Sequence, residues 1–410
     1  MSSPPSRTRW LMIGLAFFAT VINYLDRQTL SVVAPVLMAR FHMSNEAYGR
    51  VISAFMLAYT IANGLFGPAL DWLGTRLGFA LTMAWWSAAD MLHALARGAL
   101  SLGVFRFLLG IGEAGNWPAS VKLVAEWFPT EERALASGIF NSGSAVGAIL
   151  APPLIVWILL RFGWQQTFLW VGALGWLWVA LWWRVYYTPA NIKPEVRPPA
   201  ISAWKLLRTR FMWSFTLSKV FLDPAWYFYI FWFPEYLKAA RHFSMASIGK
   251  YAWIPFAVAG FGNLLGGWLC AAMLARGISL NGTRKGGVTV FALLMTSAIP
   301  AVLASEVRWS IAWVSVAMLG YTGCNAILLA CPADVFPKNM VASVWGLASM
   351  GSGFGGMVFA LVTGAVVDHF SYKPVFIGFG IMPMVCAAIL WTLVGPISPA
   401  SSGRPLEGHS

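Results

Sequence analysis

FRFLLGIGEAGNWPASVKLVAEWFPTEERALASG, residues 105–138, is the stretch whose reading decides the fold class. Its first two dozen residues are apolar and helical in character, yet Arg106 and Glu113 sit inside the apolar run. With Gly110 and Trp117 they form an i, i+4, i+7, i+11 stripe down one helix face. A charge facing hydrocarbon costs roughly 2.5–3.5 kcal/mol. The stripe must therefore turn toward other helices or a water-filled cavity, and the rest of the chain reads as the wall around that cavity.

Composition supports a membrane setting. Of 410 residues, 59% are hydrophobic and 10% charged, against about 25% charged in soluble domains. A helical span needs about 20 mostly apolar residues. The apolar runs predict twelve spans, at 10–37, 46–70, 79–97, 100–128, 132–160, 165–187, 211–238, 247–275, 286–304, 309–335, 340–367 and 373–395. The expected fold class is an all-α membrane protein, with twelve transmembrane helices in two six-helix bundles around a central cavity. The longest connection, polar, Pro-rich and basic, separates six spans from six. It divides the chain into an N-terminal bundle at 1–187, a cytoplasmic linker at 188–206, a C-terminal bundle at 207–397 and a cytoplasmic tail at 398–410.

Equal halves imply an internal repeat. GPALDWLGTRLG at 67–78 and GGWLCAAMLARG at 266–277 are weak copies of one another, each with small residues followed by a cytoplasmic turn containing Arg. The second copy lacks the Asp. In the first, Asp71 and Arg76 read as a conformational latch between adjacent helices, with Asp71 placed to cap a neighbouring helix N-terminus.

A net charge of +13 would point to nucleic acid in a soluble protein, so its placement matters. Of 28 Lys and Arg, 15 lie in loops and tails on the N-terminal side, nine on the other side and four within spans. That asymmetry puts both termini in the cytoplasm and assigns the charge to topology, with no nucleic-acid partner. Arg7 and Arg9 precede an apolar run that lacks a small-residue cleavage site, so the start reads as a first span and not as a removable signal. The four cysteines fall in apolar spans without metal-ligand spacing, and they read as buried thiols. Neither a metal nor a cofactor is expected.

The remaining intramembrane polar residues extend the picture. In the first span Asn23, Asp26 and Arg27 share one turn, and intramembrane charge of this kind usually marks a substrate or proton path. Tyr59 and Asn63 lie four apart in the second span. Asp90 and His93, three apart toward the outer end of the third, read as a structural or interfacial pair. Lys122 and Glu126 read as a structural pair at the membrane surface. In the seventh span Lys219 and Asp223 stand at i and i+4, Tyr227 continues their face, and Pro224 and Pro234 interrupt the helix. Asn263 and Asn325 are isolated polar residues at middle depth. GIGEAG at 110–115 and GSGFGG at 351–356 match a dinucleotide fingerprint. Neither follows a strand, so both read as small-residue helix contacts.

With these residues assembled, the chain resembles the major facilitator superfamily, and within it the anion:cation symporters that include hexuronate and galactonate transporters. The resemblance is carried by NYLDR at 23–27, GxxxDxxGxR at 67–76, RFLLGIGEAGNWPAS at 106–120, FPTEERALASGIFNSG at 128–143 and DPAWYFYIFWFPEYL at 223–237. It implies proton-driven uptake of a sugar-acid anion through a central site between two bundles, in a multi-pass protein of the inner plasma membrane, monomeric within the lipid. It also implies that Asp26 and Glu113 are the protonatable groups, Arg27 and Arg106 their cationic partners, and Tyr59 a substrate donor. A fifth-span polar contact falls near Ser144.

The residues support the same scheme independently. Two acids and two guanidiniums in low dielectric form a coupling device, because protonating an acid frees a guanidinium whose planar fork matches a carboxylate. Tyr59, Tyr227, Asn263, Asn325 and the Lys219 and Asp223 pair could then meet the polyol, with Trp rings stacking on its apolar face. This reading places the four charged groups on one wet chamber. Three rivals compete with it: a proton-coupled exporter of drugs or cations, an organic-anion carrier coupled to sodium or phosphate exchange, and a membrane enzyme. No nucleophile is paired with a base to support the enzyme.

Overall fold

The structure is a computed structural model that describes residues 6–129, 132–188, 209–336 and 338–397. Almost all of the expected linker and the whole tail lie outside the described residues. The regular elements among the described residues are helices. In chain order they are α1 Ser6–Phe41, α2 Asn45–Leu92, α3 Ala99–Glu113, α4 Asn116–Trp127, α5 Arg133–Phe162, α6 Trp164–Val185 and α7 Arg210–Ala239. Then follow α8 Met245–Tyr251, α9 Ile254–Ala275, α10 Leu280–Met295, α11 Ala298–Leu303, α12 Val307–Val335, α13 Lys338–His369 and α14 Tyr372–Thr392.

Two departures from the expected spans have local causes. The second and third spans run together as α2, broken only at Gly74, whose φ of 74° suits glycine. The expected fourth span is two helices. Pro118 has no N–H to give the carbonyl of Ala114, so the ladder fails there and the chain turns at 114–115 between α3 and α4. The stripe from Arg106 therefore ends as a straight helical face at Glu113. Trp117 belongs to the new helix, which begins at Asn116, and packs edge-on against Phe140 with ring centroids 5.6 Å apart.

Nine helical stretches among the described residues are long and apolar enough to cross a membrane. The expected spans outside that set are the third, which is short beyond the Gly74 break, the broken fourth, and the seventh. The fourth carries Arg106 and Glu113, and the seventh carries Lys219, Asp223 and Glu235. Intramembrane charge and helix breaks lower the apolar signal of the segments that carry the chemistry.

The chain divides into two compact units. Unit 1 comprises Met1–Val196 with Phe231–Trp253, and unit 2 comprises Arg197–Ile230 with Ile254–Ser410. Thus the C-terminal part of α7, from Phe231, and all of α8 pack in unit 1. Small residues set the helix spacing inside each unit. A Cβ on Gly147 of α5 would meet the Val21 carbonyl of α1 at 2.6 Å, and one on Gly355 of α13 would meet the Val220 carbonyl of α7 at 2.7 Å. The two fingerprint-like runs serve this purpose: Gly110 lies against the Phe55 carbonyl and Gly351 against Thr216.

The ends of α1 and α7 share a further local feature beyond the turns at 67–78 and 266–277. His42 and His242 both adopt positive φ, 50° and 57°. Each is followed by one apolar residue and a capping serine. Ser44 accepts from the Ala47 N–H and Ser244 from the Ser247 N–H, both at 3.1 Å. The four cysteines are buried and free.

Candidate functional site

Unit 1 holds the denser charge cluster. Arg27 of α1 reaches Glu113 of α3 through two nitrogens onto one oxygen, Nε at 2.9 Å and Nη2 at 2.8 Å. The Arg27 guanidinium also lies over the rings of Tyr59 at 4.8 Å, Tyr24 at 5.3 Å and Phe55 at 5.4 Å. This aromatic cage holds a cation without spending its hydrogen-bond donors. Tyr59, expected as a substrate donor, also forms one wall of the Arg27 pocket. The aromatic signal was present at Tyr24 and Phe55, but nothing in a linear pattern distinguishes cage from packing.

Arg106 does not pair with an acid by hydrogen bond. Its Nη2 donates to the Arg27 carbonyl at 2.7 Å, while its Nη1 is buried and has no hydrogen-bond partner. Asp26 is fully buried, and neither carboxylate oxygen has a partner. Trp86 Nε1 is a close neighbour of that carboxyl but does not reach hydrogen-bond geometry. The four expected groups do converge. They do so in a dry cluster and not on a wet chamber, since Asp26 and Glu113 are 0% exposed, Arg106 1% and Arg27 4%. Only Arg27 and Glu113 satisfy one another directly; Asp26 and Arg106 are enclosed by protein with polar atoms left over.

Asp90 and His93 do not form the expected pair at an interface. Both are fully buried. The His93 Nδ1 faces the carbonyls of Ala89 at 2.9 Å and Asp90 at 3.1 Å, and the ring stacks on Phe168 at 5.0 Å. Both Asp90 carboxylate oxygens lack partners. Asp90 lies within electrostatic reach of Arg106, Glu113 and Asp26. The cause is a close helix contact that spacing alone does not reveal. Gly112 of α3 sits against Trp86, where a Cβ would come within 2.7 Å of the Trp86 Cβ, and Asp90 lies one turn beyond.

Ser144 is half-buried on α5, and its hydroxyl donates to the Asn141 carbonyl of its own helix at 2.7 Å. Lys122 donates to the Leu70 carbonyl at 2.6 Å, while Glu126 accepts from Thr75 at 2.6 Å and Tyr186 at 3.0 Å. Both thus tie α4 to α2, and Glu126 also holds Tyr186, just past the end of α6. Of the expected latch, Arg76 donates to the Trp183 carbonyl at 3.2 Å and lies over its ring at 5.0 Å. The Asp71 side chain lies outside what the structure describes.

Unit 2 carries a smaller network. Lys219 Nζ binds Asp223 at 2.9 Å and donates to Asn325 at 2.8 Å, and Tyr321 donates to the same Asp223 oxygen at 3.1 Å. Trp345 lies under the Lys219 ammonium at 5.6 Å. The Tyr227 hydroxyl meets Ser352 at 3.3 Å. Asn263, on α9, is exposed. Tyr321 and Trp345 were missed at the sequence level, because both lie on other helices, about 100 residues or more from the pair they complete.

The Major Facilitator Superfamily profile matches residues 16–349 and 278–410. The hexuronate transporter of Escherichia coli is 33% identical over 406 residues, covering 94% of both chains. The galacturonate transporter of Dickeya chrysanthemi is 36% identical over 308 residues, 70% of this chain and 89% of that one. The D-galactonate transporter of Escherichia coli is 27% identical, covering 97% and 98%. Among solved structures, a bacterial homolog of the human lysosomal transporter Spinster superposes with a TM-score of 0.76 at 19% identity, over 95% of this chain and 97% of that one.

Proposed function

We propose that this chain, which belongs to the major facilitator superfamily, is a secondary transporter that brings a sugar-acid anion into the cytoplasm together with protons. Hexuronates are the first candidates and aldonates the next, from the names of the relatives at 33%, 36% and 27% identity. The same relatives are transporters by name, which sets the enzyme reading aside. The chain is a multi-pass membrane protein, and the proposal gives it twelve spans in bundles at 1–187 and 207–397, with both termini in the cytoplasm. Alternating access would follow the pattern of such paired bundles.

The observation that carries the reading is the buried Arg27 and Glu113 pair beside Arg106. Protonating Glu113 releases a caged guanidinium with a free fork, which suits a carboxylate. Proton and anion then favour one another's binding. Polyol contacts are assigned to Tyr59, Tyr227, Asn325 and the Lys219 and Asp223 pair, with Asp71 and Arg76 as the latch. A cation exporter fits poorly, since two guanidiniums in one cluster repel cationic cargo.

Galacturonate uptake by the protein in sealed vesicles tests this. Accumulation should appear with an inward proton gradient, collapse with a protonophore and ignore sodium. Accumulation that follows sodium at fixed pH, or that survives the protonophore, would overturn it.

A further inference from the structure

The cluster in unit 1 contains more acid than base. Three buried carboxyls, Asp26, Asp90 and Glu113, face two guanidiniums, Arg27 and Arg106. Arg27 is taken by Glu113. What remains is one cation, Arg106, whose Nη1 is buried without a partner, beside Asp26 and Asp90, whose four oxygens are buried without partners. Two ionised carboxylates against one guanidinium would leave an uncompensated charge in a dry interior, which protonation removes at far lower cost.

His93 does not supply the missing positive charge. Carbonyls only accept, so Nδ1 carries a hydrogen toward Ala89 and Asp90, and the neutral ring leaves Nε2 as a bare lone pair without a donor. The other titratable groups around the cluster are the phenols of Tyr24 and Tyr59 at Arg27, and Tyr48 near Arg106, with Glu235 beyond Tyr48. None of these adds a cation.

We propose that Asp90 is a third proton-handling residue of the transporter, and that Asp26 and Asp90 hold one proton between them opposite Arg106 when no substrate is bound. The inference deepens the proton-coupled reading and rests on it for its role in transport. An anion that takes Arg106 leaves both carboxyls without a cation. The same pocket then binds a second proton, which joins anion binding to proton uptake in the half of the molecule that holds the guanidiniums.

The test is infrared spectroscopy of purified, substrate-free protein at neutral pH, reading the stretch of a protonated carboxyl buried from water. Wild type should show the band. In a Glu235→Gln background, which removes a further buried carboxyl with an unpartnered oxygen, Asp26→Asn and Asp90→Asn should each abolish it, because the surviving acid then has Arg106 to itself and ionises. Glu113→Gln and Asp90→Glu should keep it, and Asp90→Glu covers the case in which the asparagine variant fails to fold. Absence of the band in wild type, its survival in both asparagine variants, or its loss in one alone would overturn the shared proton. The measurement uses no substrate, so it stands even if uptake proves independent of the proton gradient, and that separate result would count against the transport reading only.

Discussion

The charge clusters of the two units differ in how completely they are satisfied. In unit 2, Lys219 is held by Asp223 and Asn325, and Asp223 is held in turn by Tyr321. In unit 1, Arg27 and Glu113 bond through a single carboxylate oxygen while Glu113 Oε1, Arg106 Nη1 and every oxygen of Asp26 and Asp90 go unmatched. A buried polar network that is complete rigidifies its surroundings, whereas one left incomplete is costly and is kept where protons or ligands complete it. Under the proposed transport scheme, this contrast would put proton coupling in unit 1 and substrate positioning in unit 2.

The sharpest way to break that assignment is Glu113→Gln. Uptake driven by a pH gradient should fall to the level of empty vesicles, while exchange of labelled for unlabelled substrate stays measurable. A variant that still concentrates substrate would remove Glu113 from the coupling. Arg27→Lys keeps the charge and loses the fork. Losing one charge-assisted hydrogen bond costs roughly 1.5–3 kcal/mol, and about 1.4 kcal/mol is tenfold, so initial uptake rates should fall roughly tenfold to a hundredfold. A near-normal rate would make Arg27 a counter-ion only.

In unit 2 the expected effect is on stability first. Removing one partner of a buried pair costs roughly 3–5 kcal/mol, whereas joint apolar replacement is often neutral. Lys219→Met should therefore lower the thermal unfolding temperature, and adding Asp223→Leu should recover most of the loss. In the double variant KM should rise while the pH profile of uptake keeps its shape. A shifted profile would erase the contrast between the units. The smallest effect belongs to Asn263→Ala, an exposed position, where stability should change by no more than about 0.5 kcal/mol and the apparent KM should stay near that of wild type.

The residues differ in how much of this could be read linearly. Arg106 and Glu113 stood out because charge in an apolar run is expensive wherever it occurs. Asp90 was equally conspicuous, but its position near the end of a span made an interface the natural reading, and only the close approach of Gly112 to Trp86 brings it toward Arg106. Lys219 and Asp223 were visible as an i, i+4 pair on one helix, while Asn325 was visible only as an isolated polar residue. Asn263 was visible in the same way, and it is exposed. The seven-residue stripe through Trp117 failed at Pro118, where the backbone lost a hydrogen bond that side-chain periodicity does not record.

By itself the sequence determined the membrane class, nine of the apolar spans, the charges within apolar runs and the family resemblance, because apolar length and local spacing are properties of contiguous residues. Only the tertiary structure decided who partners whom. Arg27 meets Glu113 across 86 positions, Arg106 spends a donor on a backbone carbonyl, and Asp90 joins the cluster as a third acid. The reason is geometric: contacts between helices depend on which glycines let backbones approach and at what register, and hydrogen-bond satisfaction becomes countable only once those approaches are known.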